Sequence, residues 1–375
     1  MNYFGSLLKL YSYLSIRRRR QIYLVFILLS IFSFLELLSI GSFIPLIAAL
    51  VSLKEGSSNI PYPFNYFSDA LDPKIFLILV TCIFISITLL SASVRTFTAK
   101  KQWNLIYQIT SDISQIMFSK IINQDYYFFL KSKTTNITSN ANSNLQLLTG
   151  STIIPIFNML GSILISIVLI VGLFLISASY GLITILVVGL AYYFFLLSSK
   201  KALKNNGNIV VNSDEKRQKI LSESIGSIRD IIIDNNQKVF INEFSQNDSL
   251  YWKATSRSMF LASYPRFVLE GLALSCFCLF SYFLTANSNS ASSIPAIGSF
   301  ALAANKLLPA AQLIFTSISQ MRFSSEAVKG VLEFVEMPKA ITIQNNQIKS
   351  TNQLKLSNVS FSYPGQRDIR TLENI

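Results

Sequence analysis

Lys306 puts an ammonium group directly after a stretch that is uncharged from Gly271 to Asn305, and the next carboxylate along the chain is Glu326. A cation in apolar surroundings needs a counter-charge, water or an anionic ligand to offset its desolvation. Arg95 and Arg266 stand at the ends of two other apolar stretches, and Glu36 and Glu270 are the acids in or beside them. Two chemistries fit this set. The cations Lys306, Arg266 and Arg95 can line a cavity that receives an anionic group such as a pyrophosphate. Alternatively the arginines snorkel to an interface. Glu36 and Glu270 can serve as cargo or proton sites or pair with cations on neighbouring segments, and pairing is the preferred reading. Other chemistries drop out. The chain has no His, so the commonest general base and the commonest zinc ligand are both missing. Cys82, Cys276 and Cys278 lie inside apolar runs, without the spacing of a metal site or a disulfide framework.

The elements that must position these groups are membrane helices. Of 375 residues, 51% are hydrophobic and 14% charged, where soluble domains carry about 25% charged residues, and mean hydropathy is +0.45. A bilayer span needs about 20 predominantly apolar residues. The stretch 21–53 contains only Glu36, and 75–94 contains no charge. From Thr134 to Ser199 no residue is charged, enough for two spans (146–176 and 181–200) around a turn at Ser177–Gly181. Two more spans, 259–285 and 294–321, flank the polar segment Ala286–Ser293. The expected fold is an all-α membrane protein of six long helices. Gly41, Pro45, Pro155, Gly161 and Pro309 read as kink or close-packing positions within them.

Basic residues set the orientation, because short cytoplasmic flanks retain Lys and Arg. Arg17 to Arg20 precede the first span, Lys100 and Lys101 follow the second, and Lys200, Lys201 and Lys204 follow the fourth. On the opposite side, Lys54 and Lys74 are balanced by Glu55, Asp69 and Asp72. Both termini are therefore expected in the cytoplasm of a multi-pass inner (cytoplasmic) membrane protein. The net charge of +13 invites a nucleic-acid reading of Arg17 to Arg20, but beside an apolar helix the run is a topology signal, and no nucleic-acid partner is expected.

The cytoplasmic connections 94–134 and 200–257 are too long for turns, and Ile106, Ile109, Ile113, Ile116 and Met117 carry helical spacing. Spans two to five are thus expected to continue into the cytoplasm as two helical hairpins, with tips at 124–132 and 224–234. Residues 322–336 read as an amphipathic helix that closes a transmembrane domain over 1–336. In the tail, Leu354, Leu356, Val359, Phe361 and Tyr363 alternate, with one break at Asn358, before a turn at Pro364-Gly365. About 35 residues cannot bury a core unaided, so 340–375 is expected to be the truncated start of a further domain, a small incomplete β segment.

Asn358-Val-Ser-Phe-Ser-Tyr-Pro364 resembles the opening of an ATP-binding cassette. With six spans and two long cytoplasmic hairpins before it, the chain resembles an ABC exporter half-transporter of the type IV fold. The resemblance implies that Tyr363 stacks on adenine. It implies too that Gln124-Asp-Tyr-Tyr-Phe-Phe129 and Glu223-Ser-Ile-Gly-Ser-Ile-Arg-Asp-Ile231 are coupling segments that dock onto cassettes, with Tyr127, Phe128, Ile228 and Arg229 at their centres. ATP and Mg are the cofactors implied for the full-length protein, and a second half-transporter, in a homodimer, and membrane lipid are the implied partners. Phe34-Leu-Glu-Leu-Leu-Ser-Ile-Gly-Ser-Phe-Ile-Pro-Leu-Ile47 and Tyr264-Pro-Arg-Phe-Val-Leu-Glu-Gly271 resemble bacterial flippases of lipid-linked oligosaccharides.

One departure limits the expectation. A P-loop needs a Gly-Lys pair at a helix N-terminus to cradle phosphates, and no Gly-Lys dipeptide occurs in the sequence. The chain is not expected to hydrolyse ATP alone. Two other classes compete. A membrane-embedded lipid-processing transferase predicts a His or acidic cluster, which the sequence lacks. A channel or structural membrane protein leaves the Tyr363 motif and the long hairpins without an explanation.

Overall fold

In a bilayer every backbone N–H and C=O must be satisfied within its own segment, which leaves the helix as the form for these uncharged stretches. The structure, a computed structural model, describes residues 3–55, 72–132, 134–176, 178–287, 290–338, 355–362 and 370–375. Its first elements are α1 (Tyr3–Tyr13), α2 (Ile16–Glu55), α3 (Pro73–Ile122) and the short α4 (Tyr126–Lys131). A near-continuous helix follows, made of α5 (Thr134–Ser139), π1 (Asn140–Asn144), α6 (Leu145–Leu148), π2 (Thr149–Ile153) and α7 (Ile154–Ile176). Then come α8 (Ala178–Gly226), the short α9 (Ile228–Ile233), α10 (Gln237–Asn287), α11 (Ser290–Phe323) and α12 (Ser325–Val335).

Among the described residues, three helical stretches are long and apolar enough to cross a membrane: Ile16–Ile47, Lys74–Ile122 and Asn136–Gly172. The expected spans 181–200, 259–285 and 294–321 fall on α8, α10 and α11, whose side chains are described only in part. Residues 56–71, expected to form an outer loop, and Ser177 of the expected turn lie outside the described residues. Pro73 opens α3, where its missing N–H costs nothing, while Pro45 and Pro265 sit inside α2 and α10.

α2 runs along α3, α8 runs along α10, and α11 packs against α2, α7, α8 and α10. The largest apolar core lies at one end of the apolar stretches and continues past it. It joins Leu10 and Leu14 of α1, Val25 of α2, Ile106, Ile109, Ile113 and Met117 of α3, Leu148 of α6, and Val328, Val331 and Val335 of α12. The helical spacing read in α3 is thus the spacing of a buried face; Ile116, one step off it, is only partly buried. Each fully buried Val or Leu contributes about 1.5–3 kcal/mol, so α12 is held mainly by its apolar face.

Two features depart from the expected outline. The helix after Met321 is interrupted at Ser324, whose hydroxyl lies 2.6 Å from that of Thr152 and 3.1 Å from the Ser151 carbonyl oxygen to which it donates. A side chain bound across to π2 marks the end of one helix and the start of the next. In the tail, Phe361 pairs antiparallel with Leu372, and Val359 exchanges hydrogen bonds with Ile375 at 2.9 and 3.1 Å. Between these two pairs stands one residue, Ser360, on one side and two, Glu373 and Asn374, on the other, and the extra residue is accommodated at Asn374, whose φ is 51°. Asn358, the break in the alternation, also takes a positive φ of 52°, a conformation Asn tolerates better than most residues. This is one isolated bridge, with no further strand among the described residues.

Candidate functional site

Glu36 on α2 is the centre of the polar cluster between the apolar helices. Its burial on a helix that is otherwise apolar from Gln21 to Leu53 leaves it needing partners, and two neighbouring helices supply them. Oε1 pairs with the Lys306 ammonium of α11, and Oε2 accepts a hydrogen bond of 3.1 Å from the Ser91 hydroxyl of α3. The side chain of Glu36 is 9% exposed and that of Lys306 41%, so the carboxylate is enclosed while the ammonium keeps access. One turn before Glu36, the Phe32 ring lies 5.6 Å from the guanidinium carbon of Arg95, itself one turn after Ser91 on α3. Rungs four residues apart on facing helices, Glu36 with Ser91 and Phe32 with Arg95, are about 6 Å apart along the axis.

Of the three cations read from the sequence, Lys306 and Arg95 therefore converge on α2. Arg266 does not join them: it pairs at 2.6 Å with Glu270 one turn on along α10, and both side chains are exposed. Nearby, the Tyr192 hydroxyl donates to Gln312 Oε1 at 3.1 Å, and Gln312 Nε2 donates to the Ala262 carbonyl at 3.1 Å, tying α8, α11 and α10 together.

At the far ends of the hairpins the chain turns through two six-residue helices. Asp125 caps α4 by accepting a 2.9 Å hydrogen bond from the Phe128 N–H. Tyr127 and Phe128 are half-buried there, the Phe128 ring meeting Phe129 edge-on at 5.2 Å. In α9, Ile228 and Arg229 are exposed, and Ile232 and Ile233 with them, while Ile231 is buried. The chain leaves α9 through Asn235 at φ 53°. Tyr363 lies outside the described residues.

Three groups of residues carry structural weight that apolar patterning does not reveal. Lys9 pairs with Glu336 at 2.8 Å, Lys120 donates to the Met337 carbonyl, and Gln124 donates to the Pro338 carbonyl at 3.0 Å. The segment leaving α12 is thus fixed to α1 and to the first hairpin next to α4. Arg217 of α8 lies 3.0 Å from Asp248 of α10 and 4.4 Å from the centroid of the Tyr251 ring. Arg18 reaches Asp112 at 2.7 Å and Gln108 at 2.6 Å. Charged residues on facing segments are the signal for the pairs Lys9–Glu336, Arg217–Asp248 and Arg18–Asp112, but their pairing is a tertiary fact, and the contacts to the Met337 and Pro338 carbonyls leave no such signal.

Long helices thus run on past their apolar stretches and turn through short helices at their tips. A family model for the ABC transporter transmembrane region matches residues 22–305. The chain belongs to the ABC transporter transmembrane family. No match is found among the curated proteins. As an ABC transporter transmembrane region it is a multi-pass membrane protein and the membrane part of an exporter, and such domains work together with a second half. The matched residues hold Glu36, Ser91, Arg95, Arg266 and both short tip helices.

Proposed function

We propose that this ABC transporter chain is the transmembrane half of an ATP-driven flippase for a lipid-linked cargo with an anionic head group, of the kind used in bacterial oligosaccharide assembly. It has six spans and both termini in the cytoplasm of the inner membrane, and it works as a homodimer. Residues 1–336 form the transmembrane domain and 340–375 begin the ATP-binding cassette, with Tyr363 against adenine and ATP with Mg held by the paired cassettes of the full-length protein. Tyr127, Phe128, Ile228 and Arg229 couple the cassettes to the spans.

The observation that carries the cargo reading is the partly accessible ammonium of Lys306, one turn of helix from the level of Arg95, between helices that are otherwise apolar. Lys306 is paired with Glu36 but keeps donors on its accessible side, which an anionic group such as a pyrophosphate can take and a neutral or cationic cargo cannot. Arg266, paired on its own helix, has the weaker claim to the cavity. The test is reconstitution of the transporter with its complete cassette. Polyprenyl pyrophosphate stimulates its ATPase, and Lys306→Gln weakens that stimulation several-fold. Equal stimulation of both proteins overturns the cargo reading. Cross-linking in membranes gives a species of twice the chain mass; a strictly monomeric active protein overturns the dimer.

A further inference from the structure

Both carboxylate oxygens of Glu36 are engaged, one by Lys306 and the other by Ser91 at 3.1 Å. The two ends of the ion pair differ in access, at 9% exposure for the Glu36 side chain and 41% for Lys306. An ammonium has three donors, and one carboxylate oxygen does not exhaust them. The pair solves the same problem for both residues, since either charge alone at mid-span costs a few kcal/mol. It also means that the cation read above as cargo-facing already holds an anion.

We propose that Glu36 is an internal counter-anion that competes with cargo for Lys306: it holds the ammonium when the cavity is empty, and an anionic head group binds by displacing it. This rests on the cargo reading of Lys306. The displaced carboxylate keeps the Ser91 hydroxyl, and Arg95 stands one turn further along the same face of α3, so a second cation is near it. Cargo release then has a driving force built into the site, because Glu36 reclaims Lys306 as the head group leaves.

The competition has a definite sign. The apparent affinity of a site that is only fractionally open is reduced by that fraction. A pair populated about ten to one therefore weakens binding about tenfold, and deleting the competitor restores it. A purely structural pair gives the reverse, since its loss disorders α11 against α2 and weakens binding.

The experiment titrates the full chain, in nanodiscs of phosphatidylcholine, with farnesyl pyrophosphate and with farnesol as its uncharged counterpart. Glu36→Gln tightens farnesyl pyrophosphate binding about tenfold and leaves farnesol unchanged. Lys306→Gln loses the preference for the pyrophosphate. The double variant E36Q/K306Q, whose amides can hydrogen-bond each other, behaves as Lys306→Gln does. Where Glu36→Gln does not fold, Glu36→Asp draws the carboxylate back by one methylene and tightens binding to a smaller degree. Weaker or unchanged pyrophosphate binding in E36Q or E36D, with Lys306→Gln still losing the preference, overturns the counter-anion and leaves the cargo reading standing. A wild-type chain that binds the pyrophosphate no better than farnesol overturns both.

Discussion

The backbone of Gly207 in α8 lies directly against the carbonyl group of Phe323 at the end of α11, so close that a methyl group at Gly207 would overlap the carbonyl oxygen. The atom in the way is backbone, which cannot rotate aside as a side chain can. Gly207→Ala is therefore expected to destabilise the chain by about 3 kcal/mol, at the upper end of the range for overpacking. Gly41→Ala is the control: nothing lies within 4 Å of its added carbon, and inside a helix this change is expected to stabilise by about 0.5–1 kcal/mol. Thermal unfolding in detergent measures both. A Gly207→Ala chain as stable as wild type shows that the two helices do not meet here.

Gly41 and Gly207 also show what the sequence made legible. Gly41 sits in an apolar run and reads as a close-packing position, yet its surroundings are open, whereas Gly161 does pack closely, with Leu29 Cδ2 3.2 Å from an added carbon. Gly207 sits among polar residues and gives no such signal. Hydropathy registers which segments leave water, so the helices of the first half and the buried face of α3 follow from it. It does not register which helices approach each other. The same holds for the charges: the need of Lys306 for an anion was legible, because desolvation is a property of the residue and its neighbours in sequence. That Glu36 rather than Glu270 meets it depends on α2 and α11 crossing, and Glu270 instead finds Arg266 four residues back on its own helix.

Arg217 links α8 to α10 through a face as well as a charge. Its guanidinium lies over the Tyr251 ring at 4.4 Å while Asp248 takes Nη2 at 3.0 Å. A lysine keeps the charge and loses the planar stack and the fork, so Arg217→Lys is expected to cost about 1–2 kcal/mol. Tyr251 reports on the same contact through pH. Burial, followed by the charge of Asp214, raises its hydroxyl above the ordinary value of 10.0. The unfolded chain then loses this proton first. The stability contributed is fully present below pH 10.0 and is lost as pH rises through the higher folded value. Melting temperature measured across this range falls less steeply in Tyr251→Phe than in wild type, and parallel curves rule the effect out.

The first tip helix depends on its cap. Asp125 satisfies the Phe128 N–H at 2.9 Å in a helix of only six residues, too short to persist on hydrogen bonds of its own. Asp125→Ala is expected to cost about 1 kcal/mol locally. Hydrogen exchange then rises over 126–131 while the melting temperature of the whole chain stays within error. If the short helix couples a cassette to the spans, Tyr127→Ala in the complete transporter leaves ATP binding intact and separates hydrolysis from transport. Unchanged transport removes Tyr127 from that role.

Arg17 to Arg20 form one basic run in the sequence, but the four residues are not equivalent in the structure. Arg18 reaches across to α3, where Asp112 and Gln108 accept from it at 2.7 and 2.6 Å, and Asp112 in turn holds the Arg18 guanidinium in its charged form. Arg19 folds back onto α1, donating to the Ser12 carbonyl at 2.6 Å with its guanidinium carbon 5.0 Å from the centroid of the Tyr11 ring. Arg17 and Arg20 are exposed. A topology signal depends on the sum of positive charge near the span, whereas an anchor depends on one side chain. Arg18→Ala is therefore expected to destabilise the chain by about 1–2 kcal/mol, as loss of a charged hydrogen bond that is partly open to solvent, without changing orientation. Neutralising Arg17 and Arg20 together leaves stability within about 0.5 kcal/mol and, with the N-terminus in the cytoplasm as proposed, weakens its retention there. Melting temperature in detergent reads the first effect and accessibility of an N-terminal tag to a protease outside the cell reads the second. If Arg18→Ala melts with wild type, the contact with Asp112 is an exposed surface pair and the run acts only through its summed charge.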